Sequence, residues 1–217
     1  NDFDKQIQRK ISNFCSENLS DFNINYKNLK KNFGCRNGPI KGITWFFQEN
    51  EYGVILEDDV IVSKKCIELF SLLLKEYQYN NNLMSISSFN EFTNNDVENL
   101  YDVSVFRSWG WASWARQWKL HLEFSKKINK YNLWQLYNLL PPQFKSIDTV
   151  EIIKSCQLSL LDAWDYEFNY THIVNNKNSL TLGGVNNYVY GFDNSATHTL
   201  NIENVGNFEI LEIFKFS

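Results

Sequence analysis

Glu57, Asp58 and Asp59 stand side by side, directly after the apolar run Tyr52-Gly53-Val54-Ile55-Leu56. Three adjacent carboxylates repel one another: at an effective dielectric of 20, two charges 4 Å apart interact by about 4 kcal/mol. A divalent cation relieves that repulsion, and carboxylate oxygens suit Mg²⁺ or Mn²⁺. The unbroken apolar run reads as a strand buried on both faces inside a parallel sheet. Such a strand delivers the acids to the carboxyl edge of the sheet, where open α/β folds bind ligands. The competing reading is a solvated acidic turn ahead of a helix that Ser63 caps.

The elements that must position these acids can be read from pattern. Ile7, Ile11, Phe14 and Cys15 give a helix over 5–18, and the alternation in Phe22-Asn23-Ile24-Asn25-Tyr26 predicts a strand. A turn-rich stretch, 32–39, opens a helix with Pro39 near its first position and Ile40, Ile43 and Phe47 along one face. A helix over 63–77 follows the acids. Strands are expected at 83–87 and 102–106, with a loop at 94–99 between them. The segment 107–114 enters a helix that also carries Trp118. A helix over 131–140 stops at Pro141-Pro142, and another runs from about 149 towards 166. The tail from 205 to 217 reads as a closing strand. Strands alternating with helices imply βαβ units and a mainly parallel sheet in one domain, 1–217.

Composition narrows the classes. The chain has 217 residues, 43% hydrophobic and 21% charged, which is ordinary for one α/β domain. Its net charge of -4 argues against a protein built to coat nucleic acid. No apolar run approaches the roughly 20 residues of a transmembrane segment, and no secretory signal stands at Asn1. Cys15, Cys35, Cys66 and Cys156 are scattered, without a C-x-x-C pair, so a reducing cytoplasmic compartment is expected.

Asn32-Phe33-Gly34-Cys35, Ile43-Thr44-Trp45-Phe46-Phe47 and Leu56-Glu57-Asp58-Asp59 together resemble the core of nucleotide-sugar glycosyltransferases with the GT-A fold. The closer resemblance is to a bacterial group sometimes labelled hemolytic-protein-like, with an N-x-G-C turn, a W-F-F helix and an L-E-D-D strand end. Trp109-Gly110-Trp111-Ala112-Ser113-Trp114 is similar to that group's W-G-W-A-T-W box, with Ser113 in place of Thr. Asp162-Ala163-Trp164-Asp165-Tyr166 and Ala196-Thr197-His198-Thr199 are similar to its D-x-W-D-Y and A-T-H-T segments. The blocks run in order from about Asn32 to Thr199.

The resemblance implies a Rossmann-like GT-A architecture, a mostly parallel sheet flanked by helices. It also implies transfer of a hexosyl or N-acetylhexosaminyl unit from a nucleotide-sugar, a UDP-sugar first, to a glycan, lipid-linked or protein acceptor, with inversion. Bacterial surface glycan synthesis, in the cytoplasm or peripherally at the inner membrane, is the expected setting. Glu57-Asp58-Asp59 takes the place of the D-x-D motif: Asp59 as direct ligand of Mn²⁺ or Mg²⁺, Asp58 on the ribose or the metal shell, and His198 completing the metal site. A plain alternative for His198 is a solvated surface imidazole. Asp165 is the first candidate base and Asp162 the second. Being three apart they share a face if helical, and a helix cap is the alternative role. Glu57, Asp58, Asn32 and Arg36 are expected on the donor. Trp109 and Trp111 would stack on sugar and Gly110 would admit it closely, although at least one of Trp109, Trp111 and Trp114 belongs in the core.

The departure is at the start. GT-A domains begin with a strand and loop that hold the base, followed by a D-G-x-R element, and neither has a counterpart here. The expectation is a chain that begins past its first nucleotide-binding strand, or that is part of a larger polypeptide. The alternative function is a non-catalytic carbohydrate-binding or scaffold domain. A nucleotidyltransferase would want a Gly-rich phosphate loop with a Lys, and there is none.

Overall fold

Capping chemistry starts the helices where small polar residues stand. The computed structural model describes residues 2–29, 31–89, 100–183 and 187–189, and the chain forms two units, Asn1–Asn32 and Phe33–Ser217. The first unit holds α1 (Asp2–Asn18). Residues 22–26, where a strand is expected, are irregular. Phe22 and Tyr26 are exposed there, and no described strand pairs with the segment. Alternation without a buried face or a partner does not hold a strand.

The second unit opens with α2 (Gly34–Glu49), β1 (Tyr52–Ile55), β2 (Val60–Val62) and α3 (Lys64–Glu76). It continues with β3 (Leu83–Ser87), β4 (Leu100–Val103), β5 (Trp111–Trp114), α4 (Ala115–Ile128) and α5 (Leu133–Leu139). Then come α6 (Ile147–Gln157), α7 (Asp165–Val174), β6 (Asn178–Leu182) and β7 (Asn187–Val189). Ser63 caps α3 by accepting from Cys66 N–H at 3.1 Å. Asn132 and Gln135 form a reciprocal capping box at the start of α5. Pro39 sits inside α2, not near its first position, because the helix begins at Gly34 with a cap supplied from elsewhere in the chain.

The main sheet has the order β1-β5-β3-β6-β4. Among the described residues of this sheet, only β3 and β6 pair in parallel, and the other three pairings are antiparallel. β1, β3 and β6 therefore point one way, and β5 and β4 the other. β2 and β7 form a separate antiparallel pair. The architecture is α/β, but the sheet is mixed, which corrects the mainly parallel expectation.

The correction turns on residues 111–114, expected at a helix start and found as a strand between β1 and β3. All four are buried. Strand alternation sends Trp111 to one layer, with Ile43, Phe47, Trp118, Trp164 and Phe168. It sends Ala112 and Trp114 to the other, against Cys66, Phe70 and Leu73 of α3. A helix would have put both indoles, three apart, on one side. β1 differs too: it is an edge strand, half-buried along its length, and the continuous burial expected of it belongs to β3. The strand expected at 102–106 lies at 100–103, because Phe106 leaves the ladder for the core, where its N–H donates to Asn169 Oδ1 at 2.9 Å.

A polar chain threads this core. His172 Nδ1 donates to Phe168 O at 2.9 Å, so Nε2 accepts from Ser85 Oγ at 2.9 Å. Thr171 Oγ1 donates to Glu167 O at 2.8 Å and therefore accepts from His121 Nδ1 at 2.9 Å. Burial pushes the His121 pKa down to about 3, with His172 and Arg36 adding to it, and burial pushes that of His172 down to about 4. Both rings are neutral in the folded chain, while the unfolded chain takes protons below about pH 6.5. Stability linked to each ring is whole above that value and falls with pH by about 1.4 kcal/mol per unit. His121→Phe keeps the ring contacts with Trp118 and Phe168 and loses the hydrogen bond at every pH. Its deficit against the parent, from urea midpoints, is expected to be largest at pH 7.5 and to close steadily towards pH 5.

Candidate functional site

Strand register defines the working edge. Ile55 pairs with Trp111, Ser87 with Trp111 and Thr181, and Leu100 with Leu182. The edge that receives Leu56-Glu57-Asp58-Asp59 from β1 therefore also receives Ser88-Phe89 from β3 and Trp109-Gly110 ahead of β5.

Glu57 is half-buried there, and its Oε1 accepts from Trp164 Nε1 at 3.4 Å. Burial pushes its carboxyl up to about 7 against that hydrogen bond, and the charges of Asp59, Asp165 and Asp58 push it the same way. Burial also raises Asp59, with its own backbone N–H opposing and Asp58 adding. Asp59 Oδ1 is buried and accepts no hydrogen bond from a described residue. Asp58 is exposed. Asp165 begins α7, where the helix dipole favours a carboxylate. The acidic run and the start of α7, distant in sequence, thus feel one another's charge, with the Trp164 indole as the physical link. That indole is 4% exposed and held by stacking on Trp111 at 5.7 Å and edge contact with Phe106 at 5.8 Å.

Asp162 has another post. Its Oδ2 accepts from Cys35 N–H and its Oδ1 from Arg36 N–H, each at 2.8 Å. It is the anionic cap of α2, supplied from the segment before α7. Gly34 makes room for it: φ is +76°, and a Cβ would collide with the Asp162 carboxylate. Asp162 and Asp165 do not share a helix face, because α7 begins only at Asp165. Burial raises the Cys35 thiol, with Asp162 and Glu57 adding, which keeps it neutral.

Arg36, expected on the donor, has an ion-pair partner inside the protein. Its Nη2 donates to Glu167 Oε2 at 2.9 Å, with side chains only 17% and 1% exposed. The guanidinium is committed to the interior between α2 and α7. Asn32 is exposed and belongs to the first unit. His198 lies outside the described residues.

Of the tryptophans, Trp111 is fully buried, so it cannot stack on a sugar; it serves as the floor of the aromatic core. Gly110 has φ +76°, and a Cβ would meet Ser88 Oγ at 2.6 Å and Val60 and Val62 Cγ1 at 3.2 Å. The close approach it permits is therefore by the protein's own side chains. Trp109 is half-buried, its ring edge-on to Phe89 at 4.6 Å, and it stays the aromatic candidate at this edge. Pattern reading missed Glu167 and the reach of Trp164. An acid in the first turn of a helix looks like dipole chemistry alone, and an indole contact across 107 residues leaves no local trace.

A hard divalent cation fits the residues at hand. Asp59 offers a buried acceptor without a partner among the described residues, and Glu57 a carboxyl disfavoured in its charged form by burial first and by like neighbours second. The donor set is oxygen, as Mg²⁺ and Mn²⁺ prefer. Among the described residues, no three His, Cys, Asp or Glu side chains gather as a complete ligand group. No helix of the described residues is long and apolar enough to cross a membrane. No protein-family model matches the chain, and no curated protein is similar to it.

Proposed function

We propose that the chain is a metal-dependent glycosyltransferase of the GT-A type, moving a sugar from a nucleotide-sugar, a UDP-sugar first, to an acceptor hydroxyl with inversion. The observation that carries the reading is the Trp164–Glu57 hydrogen bond, which ties the start of α7, where Asp165 stands, to the sheet edge that carries Glu57 and Asp59. Asp165 accepts the proton of the acceptor hydroxyl as that oxygen bonds to the anomeric carbon. The bond from that carbon to the diphosphate oxygen breaks, and the nucleoside diphosphate leaves with the electron pair. The transition state has oxocarbenium character, by analogy with glycoside hydrolysis. Asp59, with Glu57 beside it and His198 as the resemblance implies, would hold a divalent cation, which would neutralise charge on the departing diphosphate. Trp109 offers an aromatic face to a sugar ring. The acceptor is a glycan, a lipid-linked saccharide or a protein, and surface glycan assembly at the cytoplasmic side of a bacterial inner membrane is the matching setting.

A second reading is a carbohydrate-binding or scaffold domain without chemistry. The commitment of Asp162 and Arg36 to structural pairs favours it. A panel of nucleotide-sugars assayed with Mn²⁺ and with EDTA separates the two. The transferase reading expects Mn²⁺-dependent release of nucleoside diphosphate, and Asp165→Asn is expected to lower kcat by about 10²–10⁴-fold while donor affinity holds. Unchanged turnover in Asp165→Asn removes that residue as base. Sugar binding without any release by the parent favours the second reading.

A further inference from the structure

From Phe124 to Ile147 the chain carries Lys126, Lys127, Lys130 and Lys145 and no acid, within a protein of net charge -4. Glu123 and Asp148 are the first acids on either side. All four lysines are exposed. The same stretch turns large apolar side chains outward: Trp134 is 67% exposed and Leu133 42%. Single exposed apolar residues need no explanation, but a group of them beside unopposed positive charge does.

The geometry makes this a ridge. Helical spacing puts Leu133, Trp134 and Tyr137 on one face of α5, while Leu136 is buried on the other. Trp134 and Tyr137 stack with centroids 5.7 Å apart and planes 12° from parallel. Lys145 Nζ lies 5.1 Å from the centre of the Tyr137 ring. Behind the ridge, Tyr170 Oη donates to Leu136 O at 2.6 Å and Lys154 Nζ donates to Tyr131 O at 2.9 Å. These bonds hold α5 and its entry in place.

We infer that this ridge docks on an anionic phospholipid bilayer. Trp134 and Leu133 enter the boundary between headgroups and acyl chains, where indoles are favoured, and the lysines meet lipid phosphates. Each lysine close to an anionic surface raises affinity about fivefold. The acidic remainder of the chain is repelled by the same surface, so one orientation is selected. None of these residues belongs to the acidic cluster at the sheet edge, so the docking stands or falls separately from the transferase reading.

Sedimentation of the whole chain with vesicles tests it. Binding is expected to mixed phosphatidylcholine–phosphatidylglycerol vesicles and not to phosphatidylcholine alone, and it should weaken at high salt. Lys130→Glu combined with Lys145→Glu should lose more than about tenfold. Trp134→Ser should lose a similar factor with an unchanged circular dichroism spectrum. Lys64→Glu combined with Lys65→Glu, the same charge change on α3, should leave binding as it was. Equal losses in both lysine pairs, binding to neutral vesicles as strong as to anionic ones, or no vesicle binding overturns the inference. Retention on an acidic polysaccharide matrix that Trp134→Ser abolishes, with vesicles ignored, overturns it in favour of a glycan surface.

Discussion

Asp59→Asn is expected to lose Mn²⁺-dependent donor turnover by about a thousandfold. The amide keeps the shape of the carboxylate, so the turn between β1 and β2 has no steric reason to move. What disappears is the charge on an oxygen that is buried and finds no donor among the described residues. Burial, and after it the charge of Asp58, disfavours the carboxylate here, so the variant is expected to be at least as stable as its parent. Calorimetric titration with Mn²⁺ and a UDP-sugar, beside a urea melt, reads both halves of this expectation. Lost turnover with an intact melt supports the cation site. Parental turnover in a folded variant would remove Asp59 from the metal and take the transferase chemistry with it.

Glu167→Ala is expected to lower stability by about 3–5 kcal/mol, because it leaves the Arg36 guanidinium inside the protein without its carboxylate. That is a large share of the roughly 5–15 kcal/mol by which domains are stable. The replacement by Gln behaves differently. Burial raises the Glu167 carboxyl by more than Arg36 lowers it, so its charged form is costly where it stands, and a neutral amide can still accept from Arg36 Nη2. Urea midpoints at pH 8 should therefore rank the parent and Glu167→Gln close together and Glu167→Ala far below. Equal losses in both variants would mean that the charge, not the hydrogen bond, holds α2 to α7.

The readable part of the site was the part written in consecutive residues. An apolar run ending in acids announced β1 and its carboxylates, and Ser63 announced the helix after them. Trp111 and Trp114 were misassigned because a spacing of three suits a helix face, while in a strand it sends side chains to opposite layers. Only the presence of two cores, above and below the sheet, decides between those. The burial of β1 was overestimated for a related reason: an edge strand and a central one can carry the same four residues, and the neighbours decide. Asp162 is the clearest limit. Its type suits a cap and a base equally, and the two amides it serves, on Cys35 and Arg36, lie more than a hundred residues earlier. The same distance hid the pairing of Arg36 with Glu167.

The place of β3 in the sheet also bears on how the chain is made. Leu83 pairs with Asn178, while the other side of β3 pairs with β5, so its parallel partner β6 emerges from the ribosome much later than β3 itself. Closing such separations taxes loop entropy before the sheet returns any benefit, and folding that depends on them is slow. Meanwhile Leu83, Met84 and Ile86, all buried in the finished protein, lie open on a nascent strand. This is a stretch that a chaperone would shield during synthesis, and one that a stalled ribosome would leave prone to aggregate.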